Sequence, residues 1–251
     1  MDKTEIFERI FADQPSFHRV AETGCFRTER SALPDKMRDR IASLTGRQNW
    51  GISKELGRYL LDVVTPDMRT LETGAGVSTL IFAMGGSQHT AVAPFGDEME
   101  EMRNYAATIG IDASRVTCVA SGSEKYLPTL TDVEFDIVFI DGMHAFPWPI
   151  LDWYSTADHL KVGGLMIIDD TQLPSVGTLC EFLRFDTPRW LFAKTVGERT
   201  DVFKKIASSI HDVAWHEQPW VAAREQLGDA GRHPFHRRVA SRLRRFGNNL
   251  K

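Results

Sequence analysis

The chain has 251 residues, 42% of them hydrophobic, 25% charged and 10% aromatic. That is ordinary globular composition, long enough for one large domain with a well-buried core. No apolar stretch approaches the roughly 20 residues of a membrane-spanning helix. The N-terminus, "MDKTEIFERIFADQP", is charged throughout and lacks a signal-peptide core. Cys25, Cys118 and Cys180 are too few and too widely spaced for a disulfide framework or a zinc knuckle. These features predict a soluble, reduced, cytoplasmic protein.

Charge is unevenly placed. The formal net charge of −4 is made up of +7 from Arg232 to Lys251, a stretch with no Asp or Glu, and −11 from the rest. Three regions are predicted: a helical cap over 1–65, a main domain over 66–231 and a basic tail over 232–251. In the cap, Ser53 is placed to cap a helix through "SKELGRYLLDVV". After Pro66, short apolar runs alternate with helical stretches. The runs are "RTLETG", "HTAVAP", "RVTCVAS", "FDIVFIDG" and "GGLMIIDD". Five strand–helix units in succession predict a parallel sheet covered on both faces, hence an α/β fold. "WLFAKTV", "GERT" and "DVFKKIA" then read as a hairpin whose last strand runs antiparallel. Residues 208–231 look less regular, with Trp215 and Trp220 expected to pack on the domain. In the tail, Phe235, Val239, Leu243 and Phe246 form one apolar stripe on a basic helix, expected to dock on the acidic body.

Ligands of doubly wound sheets sit at the carboxyl ends of the strands. The first strand ends in "LETGAGVSTL". Glycines there admit a ligand close to the backbone, and the next helix offers free N–H groups. Thr79 stands where a dinucleotide fingerprint has its third Gly or Ala, which argues against NAD or FAD. The Gly-Lys-Ser/Thr of a Walker loop is absent.

From Glu72, Gly74 and Gly76 onward, the chain resembles the class I S-adenosylmethionine-dependent methyltransferases over about residues 50–206. The resemblance implies a doubly wound, seven-stranded, mostly parallel Rossmann-like sheet with its last strand reversed, and a "VGG" turn at 162–164 before strand five. It also implies S-adenosylmethionine bound by Glu72, Gly74, Ala75, Gly76 and Ser78, with Gly122 and Ser123 at the adenosine. One departure stands out. The acid that members carry at the end of strand two falls here at Pro94 and Phe95, with Asp97 and Glu98 just beyond.

Strand four ends in "FIDGMHAF" and strand five in "LMIIDDTQLP". Neighbouring parallel strands lie about 4.8 Å apart, so Asp141, Asp169 and Asp170 can converge. Three charged carboxylates at one spot repel, and a hard divalent cation relieves that. The plainer alternatives are a helix cap at Asp170, for which Ser175 is better placed, a turn at Asp141 and Gly142, and a satisfied loop histidine at His144. The pattern resembles the metal-dependent O-methyltransferases of the catechol and macrolide-sugar types. That resemblance implies Asp141, Asp169 and Asp170 as ligands of a metal, Mg²⁺ first, and His144 as the base. Trp50, Phe146 and Trp148 are candidates to line an acceptor pocket.

The expected function is metal-assisted O-methylation of a small hydroxylated acceptor, such as a diol, sugar or phenol. Nucleic acid is not the expected partner, because the body is acidic and "DDTQLP" lacks the Pro-Pro-aromatic motif of base-amino methyltransferases. A nucleic-acid-binding methyltransferase and a non-catalytic binder of the same fold remain as alternatives. A homo-oligomer is left open.

Overall fold

A computed structural model describes residues 2–15, 17, 51–208, 211 and 213–230. Trp50, Cys25 and the stripe Phe235, Val239, Leu243 and Phe246 lie outside the described residues. Helix α1, Lys3–Asp13, opens on a reciprocal cap: Glu5 N–H donates to Asp2 Oδ1 at 2.8 Å, and Asp2 N–H to Glu5 Oε2 at 3.0 Å. Helix α2, Lys54–Val63, is capped by Ser53 as predicted; Leu56 N–H donates to its hydroxyl at 3.1 Å. Both helices send their apolar faces (Ile6, Phe7 and Ile10; Leu56 and Leu60) into one core with the first helix of the main domain.

The sheet has seven strands in the order β3-β2-β1-β4-β5-β7-β6. They are β1 (Arg69–Thr73), β2 (Gln88–Ala93), β3 (Val116–Ala120), β4 (Phe135–Ile140), β5 (Leu160–Ile168), β6 (Trp190–Val196) and β7 (Thr200–Lys205). Strands β1 to β5 pair in parallel, and β7 inserts antiparallel between β5 and β6. This is the α/β, doubly wound methyltransferase architecture that the strand–helix alternation and the resemblance predict. Helices α3 (Val77–Gly85) and α4 (Gly96–Ile109) cover one face together with α1 and α2. Helix α5 (Ser123–Tyr126) is a short turn after β3. Helices α6 (Trp148–Thr156) and α7 (Pro174–Phe185) cover the other face.

The central strands are buried on both sides, and their residues alternate between the two cores. Ile137, Phe139 and Ile167 face the first core; Val138, Ile140, Met166 and Ile168 face the second. This rigid centre fixes where β1, β4 and β5 end.

Two local expectations change. The "VGG" segment is not a turn before strand five but a bulge inside it. The β4–β5 register jumps from Phe135↔Leu160 to Ile137↔Leu165, with Gly163 at φ +90°. The segment after β7 includes a regular helix, α8 (Pro219–Ala230); the Trp220 ring lies 6.2 Å from Phe182, whereas Trp215 is 65% exposed. No helix among the described residues is long and apolar enough to cross a membrane.

Candidate active site

Backbone hydrogen bonds carry the strand ends sideways in a staircase. Asp141 N–H donates to Thr73 O at 3.1 Å, and Asp169 N–H to Ile140 O at 3.1 Å. The exits of β1, β4 and β5 therefore stand side by side, and the glycine loop, Asp141, His144, Asp169 and Asp170 sit on or beside them.

The glycine loop is built around a buried acid. Glu72 is 0% exposed on β1. Thr79, in the first turn of α3, donates its hydroxyl proton to Glu72 Oε1 and accepts from Gly76 N–H at 2.9 Å. One hydroxyl thus ties the acid to the loop. On its other side, His89 Nε2 lies 3.1 Å from Glu72 Oε1, though without hydrogen-bond alignment. His89 is held by Thr70 Oγ1 at 2.8 Å from Nδ1 and by stacking on Phe82, with centroids 4.3 Å apart. Glu72 Oε2 has no hydrogen-bond partner among the described residues. Gly74 has φ +95°, and a Cβ there would meet Asp141 O at 2.5 Å. Only glycine lets the exits of β1 and β4 pass so closely. Ala75 and Gly76 complete the loop, and Ser78 is buried in the first turn of α3. Across the crevice, Gly122 and Ser123 open α5, both half-buried. Asp97 and Glu98 lie in the first turn of α4, just past β2.

Asp141, His144 and Asp170 each offer one ligand atom, and the three atoms lie within 4.8 Å of one another. His144 Nε2 is 3.5 Å from Asp141 Oδ1 and 3.6 Å from Asp170 Oδ2. That nitrogen is buried and has no hydrogen-bond partner among the described residues. Two carboxylates and an orphaned imidazole nitrogen suit a divalent cation. Burial lifts the Asp141 carboxyl to about 7; His144 draws it down, while Asp169 and Asp170 push it up. Burial would lower the His144 imidazole, but Asp141 above all, with Asp170 and Asp169, more than offsets this and holds it above its ordinary value. Ser175 does not cap α7. Its hydroxyl donates to the His144 carbonyl and pins that loop.

Asp169 is not among these three and is engaged by other partners. It is 1% exposed, with Oδ1 accepting from Thr200 Oγ1 at 2.5 Å and Oδ2 lying 3.3 Å from Arg199 Nη2. Asp170 adopts a left-handed conformation, φ +59°, which turns the second acid outward toward His144. Its Oδ1 is 3.0 Å from Arg199 Nη1 and accepts from Gln172 Nε2 at 2.8 Å. Among the other expected residues, Phe146 is 72% exposed on the rim and Trp148 is half-buried at the start of α6.

Sequence reading passed over four residues that this arrangement uses. Arg199 was visible as a lone cation in the hairpin turn. Thr79 was counted only as a missing glycine. His89 carried no signal beyond its place in a strand. Asp152, between Leu151 and Trp153 on α6, was visible as an acid on an apolar helix face. It is 1% exposed, and neither carboxylate oxygen has a hydrogen-bond partner among the described residues. Burial lifts its carboxyl to about 6; the Ser123 and Thr73 hydroxyls face it and draw it down without closing an aligned hydrogen bond.

Residues 71–171 match a family described as a methyltransferase domain. A search of curated proteins found no significant match. Among solved structures, a candidate O-methyltransferase from Klebsiella pneumoniae superposes with a TM-score of 0.55 at 18% identity, over 82% of this chain and 91% of that one. A candidate caffeoyl-CoA O-methyltransferase from Staphylococcus aureus gives 0.54 at 13% identity, over 81% and 98%. An S-adenosylhomocysteine-bound methyltransferase from Podospora anserina gives 0.53 at 17%, over 82% and 98%. At such identities these likenesses speak to the fold. Taken with the sheet order, the family match marks residues 71–171 as a methyltransferase domain within a methyltransferase-type fold.

Proposed function

We propose that the chain is an S-adenosylmethionine-dependent O-methyltransferase, assisted by a divalent metal and acting on a small hydroxylated acceptor. The observation that carries this reading is the convergence of Asp141, His144 and Asp170 at the exits of β4 and β5, one strand away from the glycine loop. The loop and the N-terminus of α3 would hold the donor's amino-acid end through backbone N–H groups. Ser123 would flank the nucleoside.

Asp141 and Asp170 would hold the metal, with Asp169 fixed behind them. When bound, such an ion supplies positive charge that lowers the pKa of an acceptor hydroxyl. His144 Nε2 would take the hydroxyl proton, its acquired charge stabilised by Asp141 and Asp170. The acceptor oxygen then bonds to the donor methyl as the methyl–sulfur bond breaks, leaving S-adenosylhomocysteine. Holding the two reactants in line supplies much of the rate. Met143 and Phe146, 49% and 72% exposed beside His144, offer an apolar rim for the acceptor's ring.

Calorimetric titration with S-adenosylhomocysteine, with and without Mg²⁺ or Mn²⁺, tests the reading. Saturable binding at one site supports it; absence of binding in both conditions contradicts it.

A further inference from the structure

Arg199 is held from every side. It lies in the turn between β6 and β7, and the β5–β7 pairing of Ile168 with Asp201 brings that turn beside the double aspartate. Its carbonyl accepts from Thr171 N–H at 2.9 Å, and its Nη2 donates to Gly51 O at 2.9 Å. The same guanidinium reaches Asp169 Oδ2 at 3.3 Å and Asp170 Oδ1 at 3.0 Å. An arginine side chain stays charged at any relevant pH. The two adjacent anions therefore already have a fixed counter-charge, supplied by the chain.

We propose that Arg199 is the resident cation of the double-aspartate site. It orders Asp169 and Asp170 without a divalent ion. It also confines any such ion to the opposite face, where Asp170 Oδ2, Asp141 and His144 converge; this second half rests on the metal-assisted reading above. With Asp170 Oδ1 engaged by Arg199 and Gln172, one oxygen of that carboxylate faces the ion. Like charge repels like, so the guanidinium holds metal affinity down. The ion is then loosely held by the free protein and retained when a chelating acceptor adds its own oxygens. Acceptors with two adjacent hydroxyls are favoured over acceptors with one.

The test is Mn²⁺ binding, followed by electron paramagnetic resonance without acceptor, to the wild type, Arg199→Gln and Arg199→Lys. Removing the charge should tighten Mn²⁺ binding by about 10-fold or more, while Arg199→Lys, which keeps it, should stay within a few-fold of wild type. Thermal unfolding in EDTA should be lower for Arg199→Gln and recover on adding Mn²⁺. The wild-type midpoint should barely move with Mn²⁺, because weak binding contributes little to stability. Unchanged or weaker Mn²⁺ binding by Arg199→Gln overturns the proposal, as does Arg199→Lys behaving like Arg199→Gln. Should Arg199→Gln not fold, the wild-type midpoint still decides: a large rise with Mn²⁺ means that Arg199 does not order the site. S-adenosylhomocysteine binding, measured on the same wild-type sample, separates failure of this inference from failure of the methyltransferase reading.

Discussion

His144 Nε2 lies 3.5 Å from Asp141 Oδ1, three residues back along the same strand-exit loop. In the proposed mechanism His144 is the proton acceptor and Asp141 the group that stabilises its charge. His144→Ala should therefore retain donor binding and lose roughly 10²–10⁴ in rate, the usual contribution of a general base. In the metal-free chain the neighbouring acids hold the imidazole above its ordinary value of 6.5, so an NMR titration of His144 in EDTA should show a midpoint above that value. A profile of kcat against pH with the acid limb unchanged in His144→Ala would assign the base elsewhere.

Thr79→Val should cost both stability and donor affinity. The hydroxyl serves Glu72 and Gly76 N–H at once, and its loss leaves buried groups without partners. Each such group costs about 1–3 kcal/mol. Thermal unfolding and S-adenosylhomocysteine calorimetry on the same protein check this; an unchanged midpoint would mean that the relay contributes nothing.

The two loop glycines should separate fold from ligand. Gly74→Ala places a Cβ against Asp141 O at φ +95°, so it should destabilise the fold itself, by on the order of 1–3 kcal/mol from backbone strain alone. Gly76 has an extended φ of 174°, and Gly76→Val should fold yet lose S-adenosylhomocysteine binding. Full affinity in Gly76→Val would move the donor away from this loop.

The general plan was legible because periodicity and turn chemistry are local. Five apolar runs spaced by helices gave the parallel order, "GERT" gave the hairpin, and Ser53 gave a helix cap. The candidate cluster was legible in part. Asp141, His144 and Asp170 could be placed at strand ends by alternation, but the rotation that separates Asp169 from Asp170 depends on a left-handed backbone at Asp170. Arg199 reaches Asp169 and Asp170 through a strand register some thirty residues away in sequence, which no local pattern reports. Trp215 shows the opposite failure, since a large aromatic suggested packing where the structure leaves it exposed.

Stability should rise as pH falls from neutrality. The Asp141 and Asp152 carboxyls are raised to about 7 and about 6 from an ordinary 3.8. Between those values the folded chain keeps protons that the unfolded chain has released, so acid favours the fold. Asp152→Asn removes one of the two, and its unfolding free energy should vary less with pH between 3.8 and about 6. Denaturant titrations across that window read it directly; an identical slope in Asp152→Asn would show that Asp152 ionises freely in the fold.

Turnover of a vicinal-diol acceptor with S-adenosylmethionine, compared in Mg²⁺ or Mn²⁺ and in EDTA, tests the proposed function most directly. The arrangement of Asp141, His144 and Asp170 beside the glycine loop predicts methyl transfer to oxygen that collapses in EDTA and returns when the ion is restored. Methyl transfer that continues undiminished in EDTA would contradict the metal-assisted mechanism and leave Arg199 as the cation on which the double aspartate depends.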